Sequence, residues 1–212
     1  MVEWFAIHAW ATGAVTFFLM WIDWLLTILQ EREQRTHYSE HYQSYPVNTI
    51  EGNPLYQSAV KAGWIVEPKQ LIIALVLSIL TTCVVVWIAQ QWRVLFIGYV
   101  WGLFLIVITT HLGNLIGYRA GRHGLHGRIF LHLRTGYLIQ MGRYLALAGF
   151  LILLAVCSAS PFIMGVAVAG VTSAVRQVLW LRKIPPIDAA DSPPPAQTLG
   201  PGEHWLPGQR AG

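Results

Sequence analysis

The chain has 212 residues, 55% of them hydrophobic and only 11% charged, with a mean hydropathy of +0.49. About a quarter of the residues in a soluble globular domain are charged, so this composition excludes one and points to an integral membrane protein. The net charge of +4 does not make a nucleic-acid surface, because the basic residues are scattered among short segments and not gathered on one face.

Five apolar runs approach the roughly 20 residues needed to cross a hydrocarbon core: 4–29, 70–89, 94–118, 137–156 and 162–181. They predict an all-α integral membrane protein, a helical bundle of five transmembrane spans within a domain 1–183. The first run is too long for a cleavable signal peptide, carries Glu3 near its start and is followed by no small-residue cleavage site. Only Gln-Gln-Trp-Arg (90–93) separates the second run from the third, and only Cys-Ser-Ala-Ser-Pro (157–161) the fourth from the fifth. Both pairs are therefore expected to be tight antiparallel hairpins.

Between the first two spans, Asn53 is a good N-cap, Pro54 suits a first helical position and Gly63 a C-terminal stop. A short interfacial helix over 54–62 is expected in the loop 30–69, and Pro68 opens the second span by the same logic. The tail 184–212 is rich in Pro and Gly without periodicity and reads as disordered. Cys83 and Cys157 match no metal or disulfide spacing and read as small core hydrophobes.

Lys and Arg collect in cytoplasmic loops of membrane proteins. Five spans put Arg32, Arg35, Lys61, Lys69, Arg119, Arg122, Arg128, Arg134, Arg182, Lys183 and Arg210 on one side and only Arg93 on the other. That bias predicts an external N-terminus and a cytoplasmic C-terminus. Trp4, Trp64, Trp87, Trp92 and Trp180 fall at the predicted interfaces, as aromatic belts do.

The polar residues inside the spans are few. Asp23 lies about 9 Å of helix rise before the cytoplasmic end of span one, with Thr27 one turn on. His111 and Asn114 share a face of span three at similar depth, and Arg143 and Arg176 lie one to two turns inside spans four and five. An unpaired carboxylate facing lipid costs on the order of 3 kcal/mol, so Asp23 is expected to face the bundle. Its partner decides its role: Arg143 or Arg176 would make a structural ion pair, whereas a bound ion or proton would make a site. Gly113 and Gly117, at small-xxx-small spacing, are expected to let two helices approach closely near Asn114.

Asp23 and Thr27, followed by Glu51-x-Asn53-Pro54 and a later His-Leu-Gly-Asn (111–114), resemble a family of small bacterial and archaeal multi-span membrane proteins catalogued only as a domain of unknown function. The likeness covers about the first 115 residues, and this chain departs from the pattern by a long insertion between Thr27 and Glu51 and by its tail. The resemblance implies a bacterial or archaeal inner membrane and that Asp23, Thr27, Glu51, Asn53 and Asn114 act together, but supplies no activity.

In the basic stretch 119–134, His123, His126 and His132 form no known metal signature. Arg119, Arg122, Arg128 and Arg134 read instead as contacts to anionic headgroups. His8 and His111 lie near opposite faces and cannot jointly ligate one haem; ligation of haem or chlorophyll by a single histidine is left open. Three readings stand. The polar layer binds an ion, proton or anionic group in a small transport, channel-like or membrane-partner protein; or Asp23, Glu51 and His111 bind a metal or do acid/base chemistry on a lipid-type substrate; or the chain is a structural subunit of a larger membrane complex. No nucleophile motif or phosphate loop supports the enzyme, which ranks second.

Overall fold

Punctuation residues explain most element boundaries in the computed structural model, which describes residues 2–38, 42–45, 53, 55–124 and 129–184. The first apolar run is not one helix. It divides into α1 (Val2–Ile7) and α2 (Ala9–Glu33) at His8, whose φ of −101° and ψ of 72° interrupt the helix. The break exposes helix-terminal carbonyls, which need partners in an apolar interior. They have them: His8 N donates to Trp4 O at 2.9 Å, Thr12 Oγ1 to Phe5 O at 2.9 Å and Arg93 Nη1 to Ala6 O at 3.3 Å.

α2 runs past the expected end of the span and continues into a π-helical turn, Gln34–Tyr38. The next helix, α3, spans Gln57–Ala62 and ends at Gly63, whose φ of 70° is left-handed backbone. It starts later than the cap residues suggest. Asn53 Oδ1 accepts from Leu55 N at 3.1 Å and Asn53 O from Tyr56 N at 3.0 Å, so Asn53 makes a turn and Tyr56 stands at the N-cap. Trp24 and Ile28 of α2 form a small core with Tyr56, Ala59 and Val60, which docks α3 onto α2.

α4 (Pro68–Trp87) begins with Pro68 in its first turn and the Glu67 carboxylate accepting from Gln70 N at 2.7 Å. α5 (Gln90–Gly124) runs six residues past the apolar run. After it, α6 (Leu133–Ser158) and α7 (Pro161–Leu181) are joined by a short turn in which Ser160 caps α7. Two short strands were not expected. β1 (Tyr42–Tyr45) pairs in parallel with β2 (Ile129–His132), Tyr42 opposite Ile129 and Tyr45 opposite His132, which ties the segment after α2 to the segment after α5.

α2, α4, α5, α6 and α7 are the five helices long and apolar enough to cross a membrane. They pack as α4 on α2, α2 on α5, α5 on α7 and α7 on α6. The expected hairpin of the second and third spans is thus only a short connection: α4 and α5 barely touch, because both use α2. α6 and α7 do pack closely, with Tyr137 stacked on Trp180 at one end and Ala148 against Gly170 nearer the other. Contacts of Thr16 with Trp101 and Thr27 with His111 show that α2 and α5 run in the same direction.

Glycines decide how closely these helices approach, though not the expected pair. Gly113 and Gly117 have nothing within 4 Å of where a Cβ would stand. The close approach is elsewhere: a Cβ on Gly98 or Gly165 would collide with backbone of Phe162 or Leu95, and one on Gly102 would lie 2.8 Å from Val166 Cα. Glycine is needed there because α5 and α7 meet backbone to backbone. Gly13 does the same for α2 and α4, where Ser78 Oγ donates to Gly13 O at 2.7 Å. Cys83 and Cys157, expected in the core, are exposed free thiols on α4 and α6. Glu51, Pro54, residues 125–128 of the basic stretch and the tail from residue 185 lie outside the described residues.

Candidate functional site

Asp23, Thr27 and Gln30 occupy positions i, i+4 and i+7 of α2, a spacing that puts them on one helix face. That face meets His111 of α5. His111 Nδ1 lies 2.6 Å from Gln30 Oε1, and its Nε2 lies 3.3 Å from both Thr27 Oγ1 and Asp23 Oδ1. Thr27 Oγ1 also reaches Asp23 O at 3.0 Å, so its single proton goes to that carbonyl when the ring donates through Nε2 and to Nε2 when the ring does not.

Every group facing the imidazole therefore presents oxygen. A neutral histidine has one donor and one acceptor nitrogen, while the protonated ring has two donors. Two donors fit the arrangement, Nδ1–H to Gln30 and Nε2–H shared between the Thr27 hydroxyl and the Asp23 carboxylate; a neutral ring fits it too, with Nδ1–H to Gln30 and Nε2 accepting from the Thr27 hydroxyl. Asp23 Oδ1 is itself buried and makes no aligned hydrogen bond, so its 3.3 Å approach to Nε2 is an electrostatic contact and not a directed bond. Thr27 and Gln30 are buried, whereas the His111 and Asp23 side chains keep 18% and 28% of their surface.

The other predicted residues are placed differently. Asn114 is half-buried one turn beyond His111 and makes no hydrogen bond to a described residue. Arg143 and Arg176 are exposed on α6 and α7 and form no ion pair with a described residue, so the partner of Asp23 is His111 and not an arginine. Asn53 turns the chain into α3, and Glu51 lies outside the described residues. Among the described residues no three His, Cys, Asp or Glu side chains gather to hold a metal ion. His111 as placed also has both ring nitrogens turned to protein oxygens, and offers neither outward as a ligand.

Three glutamines were missed. Gln30 fell just past the predicted end of span one, although its i+7 spacing from Asp23 was a usable signal. Gln140, one turn before Arg143, donates to Thr110 Oγ1 at 3.2 Å and so joins α6 to α5 beside His111. Gln177, next to Arg176, is buried with its Oε1 unpaired among the described residues. In each of α6 and α7 the neutral amide is turned inward and the arginine outward.

Compared with family models, curated proteins and solved structures, the chain matches none. The resemblance drawn from Asp23, Thr27 and Glu51-x-Asn53-Pro54 carries no further argument.

Proposed function

We propose that this chain is a multi-pass protein of a bacterial or archaeal inner membrane, N-terminus outside and C-terminus cytoplasmic, in which Asp23 and His111 hold a proton as part of a small transport or channel-like activity. Exposed apolar rows on α4 and α6, including Ile72, Leu75, Ile79, Phe150 and Leu153, support the membrane assignment, since water disfavours such continuous surface and a bilayer covers it. The basic stretch 119–134 would then meet anionic headgroups on the cytoplasmic side.

The observation that carries the reading is the set of oxygens on both ring nitrogens of His111. Among the earlier alternatives of ion, proton or anionic group, it favours the proton: an anion would be repelled by Asp23, and a cation would need ring lone pairs that face hydrogen-bond acceptors. An imidazole and a carboxylate at 3.3 Å can exchange a proton between them or through one water. Ionisable pairs within spans mark such pathways more often than ornament.

The test uses the full chain in lipid nanodiscs with 15N-labelled histidine. Both His111 ring nitrogens should carry protons in the native protein, and Asp23→Asn should leave the ring singly protonated under the same conditions. In vesicles with a trapped pH dye, proton entry should fall to the background of empty vesicles for Asp23→Asn and His111→Ala, with insertion retained. A ring found singly protonated at every accessible pH would sink the proposal. Collapse of expression in Asp23→Asn, restored by adding His111→Leu, would make the pair a strut between α2 and α5.

A further inference from the structure

A groove of about 240 Å³ lies between the residues that lead into α3 and the first turns of α4, lined by Leu55, Tyr56, Lys69, Ile72 and Ile73. Its wall is entirely apolar, so the exposed Lys69 lines it with its methylene stem and not with its ammonium. The groove is smaller than the roughly 300 Å³ at the low end of pockets for compact ligands. Its shape requirement is instead that of a narrow apolar chain, with a single positive charge where the chain emerges.

Its surroundings agree. Leu55 and Ile72 on its wall are more than half exposed, as are Trp64, Ile65 and Val66 in the link from α3 to α4, so the chain that leads to the groove is itself apolar and uncovered. Glu67, two residues before Lys69, is buried and occupied in capping α4 through Gln70 N. An occupant must therefore be amphipathic and anionic at one end.

We propose that this groove binds one acyl chain of an anionic phospholipid, with the phosphate on Lys69. The proposal rests on the membrane reading above but not on the proton site. It places a specific lipid at the end of α4, beside the helix that docks against Trp24, the neighbour of Asp23. α3 would be held against α4 by a lipid tail as well as by its packing on α2.

The experiment uses the whole protein in nanodiscs of phosphatidylcholine doped with phosphatidylglycerol carrying a photoreactive acyl chain, with peptide mass spectrometry to map adducts. Adducts should concentrate at Leu55, Ile72 and Ile73, and phosphatidylcholine with the same chain should label these positions several-fold less. Lys69→Gln should erase that preference, and Ile73→Trp, which fills the groove, should remove the labelling while the exposed faces of α4 and α6 stay labelled. Equal labelling by the two lipids, or no enrichment over Leu75 and Phe150, would overturn the groove alone. Absence of adducts even at Leu75 and Phe150 would overturn the membrane reading with it. A protein–protein adduct at Ile73 in place of lipid would assign the groove to a second copy and overturn the lipid.

Discussion

A single step along a helix turns a side chain by about 100° and three steps leave it about 60° from where it began; the first separates Gln177 from Arg176 and the second Gln140 from Arg143. Arg143 and Arg176 carry the conspicuous charge, yet Gln140 and Gln177 are the side chains turned inward, because burying a guanidinium without a carboxylate costs far more than burying an amide. The same holds around His111, whose shortest contact is to neutral Gln30. Gln30→Leu would leave His111 Nδ1 facing carbon and should cost about 1–3 kcal/mol, read as a lower unfolding midpoint in detergent. Arg143→Gln and Arg176→Gln should change it by less than about 0.5 kcal/mol. Comparable losses for the arginine variants would show that they, and not Gln30, hold the layer.

At the scale of elements, the helices are fastened by close backbone approach and by carbonyl capping. Gly165→Ala forces a methyl into the backbone of α5 and should lower stability by about 1–3 kcal/mol, whereas Gly113→Ala, into open space, should be neutral in the same assay. Arg93 repays attention of another kind. Its Nε donates to Ile88 O at 3.2 Å, Nη2 to Val86 O at 3.2 Å and Nη1 to Ala6 O at 3.3 Å, closing the ends of α4 and α1 together. Arg93→Ala should raise amide exchange at the α1–α2 break and the α4–α5 turn and leave α6 and α7 unchanged. Lys, with one compact head in place of a planar fork, should rescue only part of this protection. The one basic residue assigned to the outer side is thus explained by local carbonyls as well as by topology.

For the whole molecule, the row α4–α2–α5–α7–α6 and the proposed orientation can be tested separately. With Cys83 and Cys157 replaced by Ser, a cysteine pair at Ala148 and Gly170 should form a disulfide once the helices part by about 0.5 Å, since a Cβ on Gly170 would stand 3.0 Å from that of Ala148, just inside the separation a disulfide spans. Cysteines at mid-height on α4 and α5 should not cross-link, because α2 stands between them. A C-terminal reporter should be active in the cytoplasm; an external one would invert the orientation while leaving the order of helices intact. The parallel pairing of β1 with β2 already requires the segments after α2 and after α5 to lie on one side of the helices, whichever side that is.

Five membrane-capable helices were legible from composition and run length, because hydrocarbon thickness sets a length that a linear sequence records directly. So were the start of α4 at Pro68, the stop of α3 at Gly63 and the presence of Asp23, Thr27 and His111 in a shared polar layer, since caps and depth are local properties. What faced what was decided only by tertiary structure. In a soluble helix the polar side marks water and the apolar side the core; in this chain both sides are apolar, so periodicity does not distinguish interior from exterior. That is why Gly113 and Cys83 were read inward and proved exposed, why Gly98 and Gly165 carry the helix contact, and why a carboxylate whose partner was open between an arginine and a bound ion or proton lies beside a histidine ringed by oxygens.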